Sequence, residues 1–129
     1  MMTNKMIQYI LTGVIDATGA LVVTSDEVIR GKVHKVMIDY PAGTVAVKLE
    51  STGIVDETIL DLGVANTDKV YYPIVTSSGS AGADVNIGFD DTDVTVYYEK
   101  PVVYGKLKLT CASGTATQVV KVGIIVEVY

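Results

Sequence analysis

The side chains whose types best suit chemistry are four aspartates, Asp84, Asp90, Asp91 and Asp93, in the stretch Ala83-Asp-Val-Asn-Ile-Gly-Phe-Asp-Asp-Thr-Asp93. Calcium takes roughly six to eight hard oxygen ligands, and loops of β-sandwiches often supply them. The spacing here departs from the calcium-loop pattern with its terminal glutamate. The competing reading is a solvated loop whose Asp and Asn side chains support turns. His34 and Cys111 are the only histidine and the only cysteine. A catalytic thiol needs a lowered pKa beside a histidine or a helix N-terminus, and His34 has no acidic or amide neighbour at triad-like spacing. Cys111 instead shares the apolar parity of Leu107 and Leu109, where a buried, inert thiol is expected. His34 reads as a structural residue at a bulge or as an interface group that titrates near neutrality. Metal ligation would need a second histidine or a cysteine pair. Gly79-Ser-Ala-Gly82 lacks the lysine and the following helix of a phosphate-binding loop. Neither an acid–base pair nor an activated nucleophile assembles from these residues, so the chain is read as a non-enzyme without cofactor or metal.

Tyrosines are the other conspicuous chemistry, in the pairs Tyr71-Tyr72 and Tyr97-Tyr98. Paired tyrosines can stack on sugars, but such platforms lean on indole rings, and the chain has no tryptophan and one phenylalanine, Phe89. Tyrosine also suits protein interfaces, where the ring buries area and the hydroxyl finds a partner. Neighbours on a strand face opposite ways, so each pair offers one core ring and one outward ring. Met37, Ile125 and Tyr129 fall on outward parities as well. The candidate interface residues are therefore Tyr71, Tyr72, Tyr97, Tyr98, Met37, Ile125 and Tyr129.

The elements that must position these residues are strands. From Thr117 to Tyr129, Val120, Val122, Ile124, Val126 and Val128 alternate with Lys121, Gly123, Glu127 and Tyr129, the period of a strand with one apolar face. Val45, Val47 and Leu49 alternate with Ala46, Lys48 and Glu50, and Leu107, Leu109 and Cys111 with Lys106, Lys108 and Thr110, as in antiparallel sheets with one wet side. Turn signals recur at short intervals, among them Asp16-Ala-Thr-Gly19, Pro41-Ala-Gly43, Ser51-Thr-Gly53, Pro101 and Ser113-Gly114. The pattern predicts strands over Ile7–Ile15, Ala20–Thr24, Gly31–Asp39, Val45–Glu50, Thr58–Leu62, Lys69–Val75, Val94–Tyr98, Lys106–Ala112 and Gln118–Tyr129. The parity slip between Val33 and Val36 predicts a β-bulge near His34. The fold expected is all-β: an antiparallel β-sandwich, jelly-roll-like, of eight or nine strands. At 129 residues the chain is one domain, 1–129, large enough to bury roughly two-thirds of its unfolded surface.

Composition narrows the partners. The hydrophobic fraction is 49% and mean hydropathy is +0.39, yet no run approaches the roughly 20 apolar residues of a membrane helix. Ten basic residues are dispersed against fifteen acidic ones, for a net charge of −5. Phosphate recognition favours clustered Arg and Lys, so neither nucleic acid nor membrane is an expected partner. Lys5 followed by an apolar run faintly imitates a secretory signal, but Gln8, Thr12 and Gly13 thin it and Asp16 stands where cleavage would fall. Residues 1–10 are read as the start of a first strand or as an N-terminal arm.

Ile29-Arg-Gly-Lys-Val33 leads into a strand ending Asp39-Tyr40-Pro41. Val70-Tyr-Tyr-Pro-Ile-Val75 precedes a Gly/Ser loop, and Pro101-Val-Val-Tyr-Gly-Lys-Leu-Lys-Leu-Thr110 precedes the valine-rich terminal strand. Over residues 29 to 129 this layout resembles the small, acidic, all-β proteins of tailed bacteriophages that decorate or cement the capsid exterior. The resemblance implies a jelly roll that binds the major capsid protein and assembles with itself as a homotrimer. It also implies synthesis in the host cytoplasm and a place on the virion, at the capsid surface. Two other readings stay open: a tail, neck or fibre component of the virion, and a carbohydrate-binding or adhesin module.

Overall fold

A computed structural model describes residues 5–76, 86–87, 95–96 and 98–128, with side-chain surroundings over 5–74 and 100–128. Its strands are β1 (Lys5–Val14), β2 (Leu21–Thr24), β3 (Ile29–Asp39), β4 (Val45–Ser51), β5 (Glu57–Ala65), β6 (Lys69–Tyr71), β7 (Val75–Thr76), β8 (Asn86–Ile87), β9 (Thr95–Val96), β10 (Tyr98–Glu99), β11 (Val102–Gly105), β12 (Leu107–Ala112) and β13 (Val119–Val128). No helix occurs among the described residues.

Nine of these strands form a sandwich. One sheet has the order β1-β13-β3-β11, with β6 also on β3, and the other has the order β2-β12-β4-β5. Each adjacent pairing is antiparallel. The pairs β1–β13, β2–β12, β3–β11 and β4–β5 are successive rungs of one long ribbon, and alternate rungs fall in alternate sheets. That winding is the jelly roll expected from the sequence.

The core lies between the sheets. Val120, Val122, Ile124 and Val126 of β13 meet Val45, Val47 and Leu49 of β4 and Leu107, Leu109 and Cys111 of β12, all essentially sealed from solvent. Alternation selects the buried face at every one of these positions, since adjacent strand residues point opposite ways. The loops at one end of the sandwich are tied locally. Asp16 accepts hydrogen bonds from Thr18 Oγ1 (2.7 Å), Thr18 N (2.8 Å) and Ala20 N (3.0 Å), and these donors, the Thr18 hydroxyl first, hold its carboxyl below the usual range. The turn at Gly43 is fixed from across the fold, its N–H donating to Gln118 Oε1 at 3.0 Å.

The bulge expected near His34 is present. Ile125 of β13 faces Lys35 and Val126 faces Val33, so His34 is the extra residue on β3. On the other side of β3 the neighbouring strand is interrupted at the same level: β6 pairs with Val36–Ile38 and β11 with Ile29–Lys32. Val33 N–H donates to the Pro101 carbonyl at 2.8 Å, and Pro73 and Pro101, where the chain leaves and rejoins β3, are both buried. Between them lie two nested antiparallel ladders, β7–β10 and β8–β9.

Two expectations need correction. The strand expected over Lys69–Val75 ends at Tyr71, because Pro73 cannot donate to a ladder, and Val75 belongs to β7. β11 was not among the expected strands, since its four residues follow directly on Pro101, which reads as a turn. Of the two readings of residues 1–10, Lys5 to Ile10 take the first: they are the first six residues of β1, laddered onto β13 from Lys5↔Val128 to Ile10↔Gly123.

Candidate functional site

Both outer faces of the sandwich mix polar and apolar side chains, with Val22 and Val64 exposed on one and more such residues on the other. On the β2-β12-β4-β5 sheet the outward residues include Lys108, Thr110, Lys48, Glu50 and Asp61, with Lys48 Nζ 3.9 Å from Glu50 Oε2. On the β1-β13-β3 sheet the outward side runs in alternating rows: Thr12, Lys121 and Asp39, then Ile10, Gly123, Met37 and Val70, then Gln8, Ile125 and Lys35. Met6, Ile10 and Val14 of β1, Val119 of β13, Val70 of β6 and Val102 and Tyr104 of β11 each expose about half or more of their surface. Valine and isoleucine populate both sides of these strands, so alternation alone does not hide them. The row Ile10, Gly123, Met37 and Val70 is the continuous apolar stripe on this face, and it suits an interaction surface.

A groove of about 600 Å³ crosses this face. Its floor is Gly123, flanked by Ile10 on β1 and Met37 on β3, with Val70 beyond; Gln8 and Lys121 stand at the rim. Gly123 is buried, and a Cβ there would sit 3.1 Å from Met37 Cε. Met37 and Ile125 are accordingly only half-buried, on the outward parity expected for both. A second concavity, of about 490 Å³, lies where Ile54 and Val55 of the β4–β5 loop meet Val102 and Tyr104. Arg30 caps the Tyr104 ring at 5.0 Å from its centroid.

The tyrosines divide as strand geometry requires. Tyr71 points inward against the core, and Lys69 Nζ lies 6.0 Å from its ring centroid. Tyr72 is exposed and meets His34 edge-to-face, with centroids 5.9 Å apart and planes at 80°. His34 Nδ1 is buried without a hydrogen-bond partner. Tyr98 belongs to β10. Tyr97, Tyr129, Gly79–Gly82 and Asp84, Asp90, Asp91 and Asp93 lie outside the described residues. Tyr104, Val102, Ile54 and Val70 were missed at the sequence level. Parity marks Val70 as outward, but Tyr104 and Val102 depended on recognising β11.

Chemistry at the two buried ionisable groups is quiet. Burial pushes the Cys111 thiol up to about 11. Burial, and then the neighbouring Tyr71, push the Tyr40 phenol up to about 12, and its hydroxyl has no hydrogen-bond partner of good geometry. Both groups hold their protons more tightly folded than unfolded, where thiol and phenol titrate near 9 and 10. Stability is therefore complete below about pH 9 and falls as pH rises from there towards 12. Tyr40→Phe should lessen that alkaline loss and, by removing an unpaired buried hydroxyl, raise stability at neutral pH by about 1 kcal/mol. Chemical denaturation at pH 7 and pH 10.5 checks both; a Tyr40→Phe protein less stable at pH 7 would mean that the hydroxyl is well bonded.

Among the described residues no group of three or more His, Cys, Asp or Glu side chains is arranged to hold a metal ion. Comparison of the chain with protein-family models, with curated proteins and with solved structures gives no match.

Proposed function

We propose that this chain is a structural protein of a tailed-bacteriophage virion, decorating or cementing the capsid exterior by binding the major capsid protein as a homotrimer. The observation that supports the reading is the apolar row Ile10, Gly123, Met37 and Val70 with the groove that crosses it, on a sheet that also exposes Met6, Val14, Val102 and Tyr104. A decoration protein needs a complementary surface and no turnover, and its attachment draws on a few apolar anchors multiplied by symmetry. A jelly roll alone does not specify this role, because the fold also serves lectins and other binding modules.

The test is to mix purified protein with undecorated heads and image them. Stoichiometric density at symmetry-related sites on the outer shell is the expected result. Met37→Glu, which sets a charge beside the groove floor, should weaken attachment at least about tenfold while leaving the fold intact. Density confined to portal, tail or fibres would replace this reading with a tail, neck or fibre component. Specific binding on a glycan array with bare shells would replace it with a carbohydrate-binding or adhesin module.

A further inference from the structure

Sheet edges offer unpaired main-chain groups, and natural proteins protect them with short strands, bulges, prolines or charges. Among the described residues, three of the four edges of the sandwich carry such devices. β2 is four residues long. β5 has two register shifts against β4, at Gly63 and Ile59, and carries Glu57 and Asp61. The edge formed by β6 and β11 is broken and bracketed by Pro73 and Pro101. β1 has none of these. It runs ten residues in unbroken register with β13, has no proline, and its one charge is Lys5 at the end.

The direction of its free groups follows from the hydrogen bonds at its end. Ile15 N–H donates to the Gln118 carbonyl and Thr117 N–H donates to the Ile15 carbonyl, both at 2.9 Å. Odd-numbered residues of this strand thus bond towards β13, and the main-chain groups of Met6, Gln8, Ile10, Thr12 and Val14 point away from the sheet. Those same five residues carry the outward side chains. Beside the edge lies a groove of about 370 Å³, between β1 and the segment from Val23 to Glu27.

We infer that β1 pairs antiparallel with β1 of a second copy of this chain, about a two-fold axis at Ile10. The occupant is indicated by the self-complementarity of the strand. With Ile10 opposite its own symmetry mate, Met6 faces Val14 and Gln8 faces Thr12, apolar against apolar and polar against polar. Shifting the register by two residues either way sets Ile10 against Gln8 or Thr12 and loses that match. No like charges meet, because Lys5 falls opposite Ile15. The paired even positions form on the order of ten main-chain hydrogen bonds. The exposed side chains of Met6, Ile10 and Val14, at 55%, 50% and 57%, become the middle of one continuous sheet. The contact is isologous and closes on two copies. It stands apart from the capsid reading, and a separate three-fold contact would give six copies.

The mass and the amide exchange of the full chain test this at about 100 μM. Light scattering should give an even multiple of 13.7 kDa. Exchange at the Gln8, Ile10 and Thr12 amides should slow by roughly tenfold or more on assembly. Ile10→Lys, at an exposed position, puts two ammonium groups face to face and should halve the mass and restore fast exchange, with an unchanged β spectrum. Val70→Lys, on the same outer face but at the opposite edge, should leave the even multiple intact. A mass of one or three copies, fast exchange at those amides in the wild type, or an Ile10→Lys protein of unchanged mass would each overturn the pairing.

Discussion

Val122→Asp is expected to yield no soluble folded protein. Val122 is fully buried on β13, the strand between β1 and β3, with its side chain in the inter-sheet core. An aspartate there would have to be desolvated among aliphatic side chains with no partner, at a cost of several kcal/mol even if it is protonated. Domains of this size have a total margin of about 5–15 kcal/mol. Val47→Asp, on the facing sheet and 1% exposed, should behave the same way. The contrast is with the opposite parity. Lys121 is exposed, and Lys48 makes only a long, partly exposed ion pair with Glu50, so Lys121→Ala and Lys48→Ala should each change stability by less than about 0.5 kcal/mol. Soluble yield and urea unfolding of the four variants measure this. Equal effects at the two parities would show that the register of both strands is displaced.

Gly31→Ala is the second large effect, and for a different reason. Gly31 lies on β3 just beyond the bulge at His34, between Val128 of β13 and Val103 of β11. A Cβ there would overlap the Glu127 carbonyl oxygen and come within 2.8 Å of Val126 Cγ1. The obstructing atom is backbone held in the ladder, so the strands themselves must move apart. A loss of about 3 kcal/mol or more is expected, at or above the upper end for overpacking. Gly63 is the natural control: nothing lies within 4 Å of its Cβ position, and Gly63→Ala should cost under about 0.5 kcal/mol. Thermal unfolding of the pair measures the difference. If Gly31→Ala were as mild as Gly63→Ala, β3 and β13 would not approach as closely as described.

Much of the fold follows from the order of residues alone. Period-two alternation depends only on which way successive side chains point, so β4, β12 and β13 and their buried faces were readable without neighbours. The bulge was readable for the same reason: an extra residue at His34 shifts the parity of Val33 against Val36, and both remain buried. The thiol of Cys111 could be placed in the core by its strand-mates Leu107 and Leu109, and the structure buries it.

Other features depended on pairing between distant segments. β11 is four residues long and gains its identity from main-chain bonds to β3, some seventy positions earlier in the chain, which no local pattern encodes. The same holds for the split of one edge into β6 and β11, and for Gly31, whose need for a missing side chain comes from Glu127. The candidate site shows the division most clearly. Sequence marked Met37, Ile125 and one of Tyr71 and Tyr72 as outward residues, and the structure makes Tyr72 the exposed one. The sheet order set Ile10, Gly123, Met37 and Val70 in one row across four strands, and left β1 as the long unprotected edge. Side-chain direction is a property of each strand by itself, whereas a surface is made by which strands lie side by side, and that is decided only when the ribbon has wound into its two sheets.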